Sequence, residues 1–232
     1  MEAITISKVF KRYTLDEFIA YLQTFVGQVR FNEVHVHGTW KPTIANFRER
    51  PGDYYMHSMY RAHLQRGFTD IAQHATIDPD GYIWDGRPLL VPPASATGYN
   101  DSDDDRVHPF MFEMIGNFDK GVEKLDGAQL ETAVGLTRAI VSLFGSRIVF
   151  HREMNPLKTC PGSGVDKDTF VALVNAAIKP PATAKPVISA EDANKIIKFL
   201  SAGYSTTSDA EARAEFNRLA NELRKASGQK LQ

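Results

Sequence analysis

Residues Glu33 to Trp40 read EVHVHGTW, in which Val34 and Val36 alternate with His35 and His37. A two-residue period is the mark of a β-strand whose successive side chains point to opposite faces. Such a strand buries its valines against a core and aims both imidazoles the other way. The chain must therefore build a sheet around it and place two histidines on one face.

Other segments supply neighbours for that strand. Asp16 and Glu17 precede Phe18, Ile19, Tyr21, Leu22 and Phe25, which predicts an amphipathic helix. Tyr54 to Gln65 predicts a second helix. The run DIAQHATIDPDGYIW predicts strand, turn and strand, with Asp-Pro-Asp-Gly as the turn. HPFMFEMIG predicts a further strand in which Glu113 faces opposite to Phe112 and Met114. Ala133, Leu136, Ile140 and Leu143 mark one face of a long helix. RIVFHRE predicts a short strand ending at His151. Leu89 to Asp105, rich in Pro, Ser, Gly and Asp, predicts a long loop, a kind of segment that often carries function.

The segment KPPATAKP, from Lys179 to Pro186, breaks the composition and predicts a semi-rigid linker. Beyond it, Ser189 with Asp192 and Ser208 with Glu211 predict two helix starts. Ala212, Phe216, Leu219 and Leu223 form a stripe on the second helix. Two helices are too few for a separate core, so they are expected to pack on the main domain or on a partner.

The charge balance narrows the partners. Net charge is −1, from 27 basic and 28 acidic side chains, so no global field favours nucleic acid or an anionic membrane. No apolar run approaches the roughly 20 residues of a membrane span. The N-terminal stretch lacks an apolar signal core, so the expectation is a chain cytoplasmic as made, with any export by a non-classical route.

Cys160 is the chain's only cysteine and lies in FHREMNPLKTCPG. It can be a buried small hydrophobe, a nucleophile with His151 as its base, or a metal ligand. The Pro-Gly pair after it marks a turn, which argues against a core strand. A catalytic zinc site typically takes three protein ligands, and Cys160, His151 and one more histidine meet that count. His35, His37, His57, His63, His74 and His108 are the candidates for the third. His37 ends its strand before Gly-Thr and can sit at the sheet's rim, whereas His35 lies deeper.

Four motifs, in order, resemble the zinc-dependent N-acetylmuramoyl-L-alanine amidases, the family that includes phage T7 lysozyme and the peptidoglycan recognition proteins. VHVHGTW resembles the family's strand ending His-His-Thr. FTDIAQHATIDPDGYIWDGRP resembles its Asp-Ile-Gly-Tyr-His-Phe, Asp-Gly and Gly-Arg stretch. FMFEMIGNFDKG resembles Gly-Ile-Glu-x-x-Gly-Asn, and FHREMNPLKTCPG resembles the closing His-Arg and Cys-Pro-Gly. The likeness spans roughly Phe31 to Val174. It implies an α/β fold with a central mixed sheet flanked by helices, as in peptidoglycan recognition proteins, to which the two predicted helices beyond the linker add a C-terminal helical extension.

The resemblance also implies a site. His37, His151 and Cys160 are the expected Zn2+ ligands. Glu113 matches the glutamate that some members use as general base, and Lys158 matches the residue that stabilises the oxyanion. The expected substrate is peptidoglycan or muropeptides, cut between N-acetylmuramic acid and L-alanine. Many members carry a tyrosine where this chain has Gln73, so the glutamate-dependent form of the mechanism is expected. The expected division is an amidase domain over 1–178, a Pro/Ala-rich linker over 179–187 and a helical extension over 188–232, which is open to self-association. Two rivals stand beside this reading. One is a recognition module that holds peptidoglycan without cutting it, although such members typically lose the cysteine. The other is a thiol enzyme using Cys160 with His151.

Overall fold

The computed structural model describes residues 8–103, 105–176, 189–227 and 229. The chain divides into two compact units, Met1–Ala176 and Ala177–Gln232. The expected linker over 179–187 lies outside the described residues.

The first unit is built on a six-stranded mixed sheet. In chain order the strands are β1 (Arg12–Tyr13), β2 (Arg30–Gly38), β3 (Ala75–Ile77), β4 (Ile83–Asp85), β5 (Val107–Met114) and β6 (Arg147–Phe150). Their order across the sheet is β1-β4-β3-β5-β2-β6. The four strands β3, β5, β2 and β6 run parallel, while β4 pairs antiparallel with both β1 and β3. The Asp78–Gly81 turn closes the β3–β4 hairpin, with Gly81 N–H donating to Asp78 O at 2.9 Å.

Alternation decides what each face of the sheet carries. Val34 and Val36 of β2 and Phe110, Phe112 and Met114 of β5 enter one core. Helix α1 (Leu15–Gln23) brings Phe18 and Leu22 to it, and α4 (Gly127–Phe144) brings Ala133, Leu136 and Ile140. Helix α6 (Lys167–Asn175) adds Phe170 and Val174. Helix α1 begins at Thr14, whose hydroxyl accepts from Glu17 N–H while Glu17 accepts from Thr14 N–H, a reciprocal cap.

On the other face, His35 and His37 are also buried. A sheet covered on both sides is what a parallel β-arrangement requires. Helices α2 (Ile44–Glu49) and α3 (Gly52–Gln65) follow β2, and α3 contributes Met56 and Met59 to a smaller cluster with Phe10, Ile71 and Trp84.

Two local expectations change. Residues 70–74 do not extend β3, because their carbonyls serve the 87–94 loop. Ala94 N–H donates to Ala72 O, and Arg87 N–H donates to Gln73 O. Strand β6 stops at Phe150, and His151 opens the short helix α5 (His151–Met154). The Glu153 carboxylate accepts from Phe150 N–H at 2.6 Å and turns the chain there.

The second unit is a pair of packed helices, α7 (Ala190–Thr206) and α8 (Ala210–Ala226). Ser189 caps α7 as its spacing predicts. Asp209, not Ser208, caps α8, accepting from the N–H groups of Glu211 and Ala212. Ala193, Ile197 and Ala220 are buried, and Gly203 leaves room for the Phe216 ring.

Candidate metal centre

The register of three parallel strands assembles the site. His37 at the end of β2 pairs with Glu113 of β5, and Val36 pairs with Phe150, the last residue of β6. His37 therefore has Glu113 on one side and His151 on the other, at the carboxyl ends of adjacent strands. That edge is where open α/β sheets hold their ligands.

Cys160 arrives from the loop after α5. Gly38 N–H donates to its Sγ at 3.3 Å. This close approach needs glycine, since a Cβ at position 38 would meet Pro161 O at 2.5 Å. Arg152 fastens the same segment. Its backbone N–H donates to Cys160 O at 3.0 Å, and its guanidinium donates to Gly162 O at 3.0 Å and Val165 O at 2.8 Å.

The structure brings His37, His151 and Cys160 together. One ligand atom from each lies within 4.8 Å of the others, and the two imidazole centroids are 4.4 Å apart. A tetrahedral zinc would set two nitrogens and a sulfur roughly 3.3–3.6 Å apart, so side-chain shifts of about an ångström would close the site. Two imidazoles and a thiolate are donors that suit zinc and leave a fourth position open. Among the described residues no other His, Cys, Asp or Glu side chains form such a group.

The remaining histidines lie outside the cluster. His74 Nε2–H donates to Val91 O and its Nδ1 accepts from Met111 N–H. His63 Nδ1 accepts from Ala72 N–H. His108 packs against Phe31 and His74. His57 lies against Phe10 on α3. His35 does not join the cluster but stands behind it, joined to Ser95 and Glu33.

Burial sets the electrostatics. It holds His37 far below the usual histidine range, with His151 beside it adding to the effect. It lowers His151 as well, helped by the charge of Lys158. Burial pushes the Cys160 thiol up to about 12, against the opposing Gly38 N–H. A thiol so placed becomes a thiolate near neutrality beside a metal cation. Glu113 is raised to about 7 by burial, opposed by the charge of Arg66. Lys158 is exposed at the rim of the same groove.

That groove holds about 560 Å³ and is lined by the three donors together with Glu113, Lys158, Arg66, Trp40 and Ser95. Gln73 is fully buried and is absent from the lining; its amide donates to Thr76 Oγ1. Sequence reasoning missed Ser95, Arg66 and Arg152. The Arg of the His-Arg pair was a signal for the last, because a guanidinium lying against a loop seeks its carbonyls. Nothing in the pattern around Ser95 distinguishes it from its loop neighbours.

Fold and site together define an α/β domain with a candidate centre of two nitrogen donors and one sulfur donor at the carboxyl edge of a mixed sheet. The model of the N-acetylmuramoyl-L-alanine amidase family matches residues 27–163, more than half of the chain, and the chain belongs to that family. Comparison with curated proteins gives no match. Among solved structures, bumblebee PGRP-SA is similar at 19% identity and a TM-score of 0.50, over 72% of this chain and 87% of that one. Endolysin amidase LysCS from Clostridium intestinale is 23% identical at a TM-score of 0.49, over 63% and 85%. Drosophila PGRP-LB is 26% identical at 0.48, over 59% and 77%. The expected central mixed sheet with flanking helices, of the peptidoglycan recognition protein type, is the fold observed. Among the described residues no helix is long and apolar enough to cross a membrane.

Proposed function

We propose that this chain is a zinc-dependent amidase that hydrolyses the bond between N-acetylmuramic acid and L-alanine in peptidoglycan or its muropeptide fragments. Family membership supports the substrate class. The observation that carries the chemistry is the convergence of His37, His151 and Cys160 beside the half-buried Glu113 in an open groove.

Zinc held by these three donors would supply a Lewis acid that polarises the scissile carbonyl and makes a water nucleophilic near neutral pH. The chain's own groups do the rest. Glu113, with a carboxyl near 7, takes a proton from the attacking water. The water oxygen joins the lactyl carbonyl carbon, the carbon–nitrogen bond breaks, and Glu113 returns the proton to the departing L-alanine nitrogen. Lys158 places its ammonium at the rim, where it offsets charge growing on the carbonyl oxygen. Trp40, exposed on the same rim, offers a flat face to sugar or peptide.

The rival thiol mechanism draws no support from the site. A nucleophilic cysteine needs a lowered pKa, and burial drives Cys160 the other way. Metal analysis combined with turnover of purified peptidoglycan tests the proposal. Wild type and Glu113→Ala should carry zinc, Cys160→Ser should lose it, and both variants should lose activity. A zinc-free wild type whose activity survives both substitutions would refute the mechanism.

A further inference from the structure

Behind His37 runs a line of hydrogen bonds that family membership does not assign. Ser95 Oγ lies 2.8 Å from His37 Nε2 and 2.9 Å from His35 Nδ1. His35 Nε2 lies 2.7 Å from Glu33 Oε2, and Arg147 donates to the other Glu33 oxygen. Ser95 is itself fixed, because the Asn100 side-chain oxygen accepts from the N–H groups of Ser95 and Ala96, at 2.8 and 2.9 Å. His35, His37 and Ser95 are all buried. Their polar atoms must therefore find partners within the protein.

With both rings neutral, the line has one self-consistent direction. Glu33 faces Arg147 across an ion pair and is an acceptor. Partial burial raises its carboxyl, but the hydrogen bonds from His35 and Arg147 outweigh this and hold it below the ordinary value. His35 Nε2 must then carry hydrogen. Its neutral ring leaves Nδ1 as an acceptor, so the Ser95 hydroxyl donates to it. The Ser95 oxygen is left to accept, so His37 Nε2 carries hydrogen and His37 Nδ1 keeps its lone pair.

We propose that Glu33, His35 and Ser95 are positioning residues that hold the His37 ring in its Nε2–H form, presenting the Nδ1 lone pair to the metal. The proposal rests on the zinc reading of the cluster. Ligand histidines commonly donate their second N–H to such a partner, and its removal typically costs about 10–100-fold in metal affinity. Here the carboxylate acts at a distance, through one imidazole and one hydroxyl. The loop over residues 89–105 supplies the middle link.

Two readouts test the relay. The first is the His37 tautomer in the metal-free protein, from long-range proton–nitrogen correlation spectra. The second is zinc affinity by chelator competition. Wild type should show His37 protonated on Nε2. Ser95→Ala should shift His37 towards a mixture of tautomers and weaken zinc about 10–100-fold. Ser95→Thr, which keeps the hydroxyl, should restore both readouts and exclude misfolding as the cause. Glu33→Gln should weaken zinc by a smaller factor, since an amide can face His35 with either group. A His37 ring protonated on Nδ1 in wild type, or Ser95→Ala binding zinc as wild type does, would overturn the relay. Failure of wild type to bind zinc at all would sink the metal reading instead, while the tautomer spectrum still judges the relay.

Discussion

Glu113 has its carboxyl raised to about 7 by burial, which suits a group that must take and return a proton near neutrality. A base works when deprotonated, so activity should climb with pH as Glu113 gives up its proton. Glu113→Gln should remove that limb and lower kcat by about 10²–10⁴-fold, read from pH–rate profiles of zinc-loaded protein. The same shift has a stability consequence. The folded protein holds this proton up to a higher pH than the unfolded chain does. Wild type should therefore lose stability relative to Glu113→Gln as pH rises from about 4.5 to about 7, in denaturant titrations of the metal-free forms. The setting of Glu113 was legible in its flanks, since Phe112 and Met114 mark a buried strand. Ser95 was not legible, because its role depends on a loop folding back onto β2, 58 residues away in sequence.

At the scale of elements, the site depends on how the 160–165 segment is held against the end of β2. Arg152 supplies two guanidinium hydrogen bonds to it. Arg152→Met should cost about 2 kcal/mol in urea unfolding, the range for hydrogen bonds from a charged donor. It should also weaken zinc binding, because Cys160 loses its support. Gly38→Ala acts on the same junction from the other side. Its new Cβ would press on Pro161 backbone at 2.5 Å, so the cysteine segment must move, and zinc affinity should fall about tenfold or more by chelator competition. The elements with strong periodicity, β2, β5 and α4, were readable in sequence. The two-residue β1 and the short α2 were not, because so few residues show no period. The end of β6 was misplaced by one residue, since the turn at Phe150 is set by Glu153 reaching back to the backbone.

At the scale of the whole molecule, the main core draws its buried members from residues 13–174, all within the first unit. A chain ending at residue 178 should therefore fold, bind zinc and hydrolyse soluble muropeptides at rates within a few-fold of the full chain. Loss of cooperative unfolding in that shortened chain would show that the helical pair completes the domain. The overall architecture was legible because four ordered motifs each fall on a sheet strand or its flanking loop. The helical pair, with Phe199 exposed on α7, carries no such pattern. The most direct test of the central claim is mass spectrometry of fragments released from purified peptidoglycan, with zinc-loaded protein and after chelation. The account predicts peptides with a free L-alanine N-terminus from the zinc-loaded protein, none after chelation, and recovery when zinc is restored. Release of the same peptides by the chelated protein, or fragments cut only at another bond, would contradict it.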